Sequence, residues 1–371
     1  MEGKLPHSPP EAGSAGKLGN IFPEYWHGRT REKENNCFMT NQRIAAKCSF
    51  DLKNEEERVS PVRSDDLWSI ILAGGEGERL RPFVQKRLGQ HKPKQYCTFV
   101  GTRSMFQHTL DRADLLTMPE QKVAVIGESH RQEATLQLSG RHSGKLICQP
   151  CNRDTAAGVF LALSYVRAKN PKATVVLYPS DHFVYPEDRF AKVVEAAVRS
   201  VRLLPDRLIV LGVPPRRVEA EYGWIQPGGE LGCIAGNRIW SVDTFLEKPH
   251  WKVARQAMIS GSLWNTLIVA AKVETLWKLG WRSLPEIMPL VEKYGAATET
   301  SMESDVLESI YQAMPVRNFS FHLLQQIPNK MATIEMRGIL WSDWGRPWRI
   351  LETLHNIGRI PTFSAEHAVA V

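Results

Sequence analysis

Five short apolar runs dominate the first half of the globular part of this chain: "WSIILA" at 68–73, "KVAVIG" at 122–127, "KLIC" at 145–148, "ATVVLYP" at 173–179 and "RLIVLGV" at 207–213. Strands that face solvent on one side alternate apolar and polar residues, whereas these runs are apolar almost throughout, as strands covered on both faces are. Helical patterns fall between them. One is expected from Ser104 to Leu116, and another from Asp154 to Arg167, where Ala156, Val159, Phe160, Leu163 and Val166 recur at helical spacing before Asn170-Pro171 stops it. Such alternation predicts an α/β fold, a doubly wound, mostly parallel sheet of Rossmann-like type. From Tyr222 the pattern turns to glycine-rich, hairpin-like segments, then a strand at "LWNTLIVAA" and several helices up to Asn356.

The region before Leu67 reads differently. Residues 1–66 are rich in Pro, Gly, Ser and charge and lack apolar periodicity, so a mostly disordered tail is expected. The folded domain is expected over 67–358, with a short tail at 359–371. The N-terminus has no apolar segment of signal-peptide type, and no run approaches the length of a membrane span. A soluble cytoplasmic protein without membrane partners follows as the expectation. The formal charge of +7 comes from basic residues spread along the chain, which argues against nucleic acid as a partner and leaves room for a local anion site. Six cysteines are too sparse for a disulfide framework, and the Cys148-x-x-Cys151 pair has no second pair at zinc spacing.

The anion site is expected at the end of the first strand, in "LAGGEGERL". Ligands of α/β sheets bind beyond the carboxyl ends of strands, and glycines there let backbone N–H groups approach phosphate oxygens. Two familiar phosphate loops do not fit. A dinucleotide fingerprint starting at Gly75 meets Leu80 at its third glycine position, and the Gly-Lys-Ser/Thr of a Walker A loop is missing. His182 follows an aspartate but has no G-x-S-x-G elbow to serve, so a hydrolase triad is not expected.

What stands is Gly-Gly-x-Gly-x-Arg-Leu followed by Pro93-Lys94-Gln95, then "QPCNRDTA" at 149–156, "YPSDH" at 178–182, "YGWIQPG" at 222–228, "FLEKP" at 245–249, "LWNT" at 263–266 and "WSDWG" at 341–345. In this order the motifs resemble the sugar-1-phosphate nucleotidyltransferases, in particular the mannose-1-phosphate guanylyltransferase group. The resemblance implies transfer of a nucleotidyl group from a nucleoside triphosphate, GTP in that group, to a sugar 1-phosphate, for GDP-mannose and surface polysaccharide. It implies Arg79 and Lys94 as catalytic groups on the triphosphate, with Gly74, Gly75 and Gly77 as backbone donors and Arg153 and Thr155 near the base. It implies Asp181 and Asp343 as Mg²⁺ ligands, and Gly223, Glu247, Lys248 and Asn265 around the sugar phosphate.

The chain also departs from the pattern. Glu78 stands where the family commonly has Thr, Val84 to His91 lengthens the link to Pro-Lys-Gln, Ala157 replaces a common proline, and Thr266-Leu267 stands where many members show Ser-Gly. The same chemistry on another hexose or nucleotide, a silent nucleotide-sugar-binding regulatory relative, and a glycosyltransferase are the rivals; the last lacks an Asp-x-Asp in the nucleotide half. No β-helix or cupin extension follows the domain, so a bifunctional isomerase is not expected, and a homo-oligomer is compatible with the sequence.

Overall fold

The computed structural model describes residues 66–141 and 144–363, so the expected N-terminal tail, apart from Asp66, lies outside the described residues. The strands are β1 (Leu67–Ala73), β2 (Lys122–Gly127), β3 (Lys145–Gln149), β4 (Thr174–Pro179), β5 (Phe183–Tyr185), β6 (Leu208–Val213), β7 (Trp224–Ile234), β8 (Asn237–Leu246), β9 (Leu263–Lys272), β10 (Met331–Glu335) and β11 (Leu340–Ser342). The helices are α1 (Arg81–Leu88), α2 (Met105–Asp114), α3 (Arg131–Leu138), α4 (Asp154–Lys169), α5 (Glu187–Leu203), α6 (Trp251–Ile259), α7 (Val273–Ser283), α8 (Met288–Ala297), α9 (Glu303–Ala313), α10 (Phe319–His322) and α11 (Pro347–Asn356).

Nine strands form one sheet in the order β3-β2-β1-β4-β9-β6-β10-β8-β7. β3, β2, β1 and β4 run parallel, and β10 runs parallel to β6. β9 is antiparallel to both β4 and β6, and the β7–β8 hairpin closes the far edge. The chain leaves β1 toward β2 on one side and later returns to place β4 on the other, so a topological switch point lies between β1 and β4. Two apolar layers cover the sheet. Ile70, Val125 and Val175 face the layer built with α4, α7 and α8, while Ile71, Ala124 and Val176 face the layer built with α2 and α5. The unbroken apolar runs thus satisfy two cores at once.

Local chemistry sets the helix limits. Ser104 caps α2 through a reciprocal pair with Gln107, as its position before the apolar run requires. The helical face expected on α4 is present, but Ala156 through Val166 are all buried, because α7 and α8 pack on the side away from the sheet. The basic segment expected as a link, Val84 to His91, is mostly helix: α1 ends at Leu88 and Gly89 caps it in the left-handed region with φ 70°. β10 adds a strand in a region expected to be helical. Past α11, the Thr362 amide donates to the Phe99 carbonyl and the Phe363 ring packs edge-on against Phe83, so the start of the C-terminal segment is docked.

A second, two-stranded sheet pairs β5 with β11. It brings the segment after β4 beside a segment about 160 residues later, and so places Asp181 and Asp343 at one end of the large sheet.

Candidate active site

The glycine loop leaves β1 at the switch point. Gly77 has φ 65°, a region L side chains rarely adopt, and a Cβ there would lie 2.9 Å from the Lys94 amide nitrogen. The loop therefore rests directly on Pro93-Lys94-Gln95. Gln95 Nε2 donates to the carbonyls of Ala73 (2.9 Å) and Gly75 (2.7 Å), which ties those oxygens down on the Gln95 side. Glu78, the acidic departure in the loop, is turned to Arg81 at 2.8 Å and is largely exposed.

Lys94 joins the two aspartates. Its side chain is buried, and Nζ lies 2.9 Å from Asp181 Oδ2 and donates to the Asp343 carbonyl at 2.5 Å. Burial works against the Asp181 charge, but Lys94 and His182 outweigh it and hold the carboxyl below its ordinary value. The imidazole of His182 is pushed down by burial, with Asp181 pulling it back.

Asp343 is more heavily held. Its Oδ1 accepts from the Tyr222 hydroxyl (2.7 Å), Arg349 Nη1 (2.9 Å) and the Gly345 amide (2.9 Å), while Oδ2 accepts from Arg79 Nη2 at 2.9 Å. Burial opposes its ionisation, yet Lys94, Arg349 and Arg79 hold the carboxyl far below the usual carboxylate range. Burial and the adjacent Asp343 push the Tyr222 phenol well above its ordinary value. Arg79 also meets Glu221 at 3.0 Å, and Arg349 is fixed by Glu219 (2.6 Å) and Glu221 (2.8 Å). Arg349 is buried and fastened, whereas the Arg79 side chain is 43% exposed. Of the two arginines on Asp343, Arg79 is thus the one placed to move to an incoming anion.

A cavity of about 270 Å³ opens over the loop, lined among others by Gly74, Gly75, Gln149, Thr155, Asp181 and Leu267. Gln149 is buried at the end of β3; its Oε1 accepts from the Tyr311 hydroxyl at 2.8 Å, and its Nε2 lies over the place a Gly74 side chain would fill. Thr155 lines the cavity and its Oγ1 accepts from the Phe319 amide. Arg153 instead donates to the Tyr311 carbonyl at 3.1 Å, and Asn152, Asp154 and Thr155 form the wall there. A larger hollow of about 910 Å³ shares only His182 with this crevice.

The expected sugar-side residues also meet. A Cβ on Gly223 would lie 2.9 Å from Glu247 Oε2 and 3.2 Å from Asn265 Cβ, so these three residues share one small space. Burial raises the Glu247 carboxyl above its ordinary value, with Lys248 drawing it back from 3.5 Å. Lys248 itself is largely exposed, on a backbone with φ 44°.

The donor chemistry fits a Mg²⁺ ion, which takes one or two carboxylates plus substrate phosphates. Asp181 is 39% exposed, and its Oδ1 has His182 only at 3.5 Å. Asp343 Oδ2 is held by the half-exposed Arg79. Among the described residues no group of three or more His, Cys, Asp or Glu could cage a metal, so substrate oxygens must complete any such site. Cys148 and Cys151 are free thiols, one buried and one exposed.

The sequence profile of the nucleotidyl transferase family matches residues 68–358, the whole region that carries this sheet and crevice. This chain belongs to that family. It is 26% identical over 298 residues to an Escherichia coli mannose-1-phosphate guanylyltransferase, covering 77% of this chain and 62% of that protein. To the Salmonella montevideo protein of the same name it is 27% identical over 297 residues, covering 76% and 59%. The chain thus spans about three-fifths of the length of these relatives. A solved Thermus thermophilus structure named mannose-1-phosphate geranyltransferase shares the fold, with TM-score 0.66 at 24% identity over 78% of this chain and 79% of that one. Among the described residues no helix is long and apolar enough to cross a membrane.

Gln149, Tyr222, Glu221 and Arg349 were not singled out from the sequence. Gln149 opens a quoted motif and Tyr222 another, but Glu221 and Arg349 carry no local signature.

Proposed function

We propose that the crevice transfers a nucleotidyl group from a nucleoside triphosphate to a sugar 1-phosphate, with GTP and mannose 1-phosphate as the first substrates to test. The observation that carries this reading is Lys94, buried between Asp181 and the Asp343 backbone directly beneath the glycine loop. The names of the Escherichia coli and Salmonella relatives support the choice of substrates.

A sugar-phosphate oxygen forms the new bond to the α-phosphorus as the bond to the β-bridging oxygen breaks, and the electron pair leaves with pyrophosphate. Such an in-line displacement asks the protein for alignment and charge stabilisation. Gly74, Gly75 and Gly77 present backbone amides, Gly77 packs against the Lys94 backbone, and the Lys94 ammonium beside Asp181 adds positive charge. Arg79, half-exposed, exchanges its carboxylate partners for the β- and γ-phosphates. Gln149 and Thr155 face the base side, while Glu247, Asn265, Gly223 and Lys248 receive the sugar and its phosphate. Asp181 and Asp343 would hold Mg²⁺, which supplies charge neutralisation for the phosphates when bound. Soluble substrates of this kind suit a cytoplasmic reaction, whose GDP-mannose product would feed polysaccharide assembly.

The test is a matrix of nucleoside triphosphates against sugar 1-phosphates, scored by pyrophosphate release with and without chelator. Release that needs both substrates and Mg²⁺ supports the reading. Its absence from every pair contradicts it.

A further inference from the structure

Leu267 occupies an unusual position. Its φ is 56°, in the left-handed region where a branched side chain is strained. The cause is visible in the pairing: Val269 faces Val210 and Asn265 faces Gly212, so Thr266, Leu267 and Ile268 lie opposite Leu211 alone. This bulge in β9 is fastened by its own side chains. Asn265 Oδ1 accepts from the Leu267 amide at 3.0 Å, and Thr266 Oγ1 donates to the Leu211 carbonyl at 2.6 Å and accepts from the Ile268 amide at 3.3 Å. A bulge re-aims a side chain, and this one sends Leu267 into the cavity lined by Gly74, Gly75, Thr155 and Asp181. Asn265, two residues away on the same bulge, stands with Gly223 and Glu247 on the sugar side.

A strained backbone at a bulky apolar residue in the wall of a cavity points to a role in that cavity. The cavity of about 270 Å³ is small for a two-substrate site, below the ~300–1,000 Å³ common for ligand pockets, and Leu267 stands in its wall on the strained turn of the bulge. We propose that Leu267 is a specificity-determining residue that narrows the crevice between its nucleotide and sugar sides, admitting sugars whose ring substituents are hydroxyls and excluding those carrying a group as large as acetamido. The isobutyl group has about the bulk that an acetamido substituent adds. This inference rests on the nucleotidyl-transfer reading for the identity of the ligands, and its test includes binding, which does not need turnover.

The experiment compares wild type with Leu267→Gly, Leu267→Ala and Leu267→Asn in the full chain. Dissociation constants are measured for UDP-glucose, UDP-N-acetylglucosamine and GDP-mannose, beside pyrophosphate release from GTP or UTP with glucose, mannose and N-acetylglucosamine 1-phosphates. Glycine accepts the left-handed backbone and removes the side chain; alanine removes the bulk but keeps a Cβ there; asparagine tolerates that backbone and restores most of the bulk. The expected result is a rise of about tenfold or more in the acetamido-to-hydroxyl ratio for the glycine and alanine variants, with asparagine staying within about threefold of wild type. Ratios within about twofold of wild type in all variants overturn the proposal, as does an asparagine variant that behaves like glycine or a wild type that already prefers the acetamido sugar. If binding follows the expected order but no pair is turned over, the catalytic reading fails and the assignment of Leu267 stands. If no nucleotide sugar binds any variant, both fail.

Discussion

Lys94 and Arg79 carry the same charge and lie in the same network, but burial separates their consequences. Removing Lys94 leaves the Asp343 carbonyl and the Asp181 carboxylate without their shared donor. Lys94→Met is therefore expected to lower both turnover and stability, the latter by about 2 kcal/mol. Arg79 is half-exposed, and Arg349 still holds Asp343 in its absence. Arg79→Ala should cut turnover with a stability change within about 1 kcal/mol; denaturant midpoints alongside pyrophosphate-release rates check the contrast. Asp343 sets a pH dependence. Its carboxyl is depressed in the folded chain, so the stability it contributes is present above the unfolded value of about 3.9 and is lost as pH falls toward the folded value. Asp343→Asn should flatten the acid limb of a melting-temperature profile between about pH 4 and 2, and an unchanged slope would show that the network does not hold that charge. Residues inside contiguous motifs could be named from the sequence: Asp181 lines the crevice, Lys94 lies against it, and Asn265 and Glu247 meet at Gly223. Arg349 and Glu221 could not, because both lie outside the quoted motifs and their pairing with each other spans 128 positions of the chain. Arg153, expected near the base, donates to the Tyr311 carbonyl, while its neighbours Asn152 and Thr155 line the cavity.

At the level of elements, long apolar strands were readable and short or bulged ones were not. β1, β2, β3, β4, β6 and β9 each carry enough apolar residues to show that both faces are covered. β5 and β11 have three residues each, too few for any period, yet they pair to bring the two aspartates together. The β9 bulge was equally hidden, because only the register with β6 shows that three residues stand opposite one. The β5–β11 pair is clamped by Phe183 stacked on Trp344, with centroids 4.5 Å apart and planes at 13°. Phe183 follows Asp181 by two positions and Trp344 follows Asp343 by one. Phe183→Ala is expected to cost about 1–3 kcal/mol, less than the ~3–5 of a fully buried phenylalanine, and to lower kcat by about tenfold. Lost stability with an unchanged kcat would show that the clamp does not position the carboxylates.

For the whole molecule, the doubly wound architecture followed from the apolar runs, while the antiparallel insertion of β9 between β4 and β6 had no signature in local pattern. A strand buried on both faces reads the same whichever way it runs. The residues that line the crevice and hold its charges lie between Leu72 and Arg349. A chain begun near Pro61 should therefore keep full turnover in the pyrophosphate-release assay, and a large loss with an unchanged melting temperature would give the first sixty residues a part in the site. The central claim is that this crevice makes and breaks the bond between a nucleotidyl group and a sugar phosphate. The reaction exchanges one phosphoanhydride for another, so its free energy lies near zero and the same site must run it backward. The most direct measurement supplies GDP-mannose, Mg²⁺ and pyrophosphate and follows GTP and mannose 1-phosphate. The account predicts that both products appear in equal amounts, that the wild-type rate collapses in Lys94→Met, and that chelator stops it. Tight binding of GDP-mannose and of other nucleotide sugars with no cleavage by pyrophosphate would contradict it and make the chain a nucleotide-sugar binder.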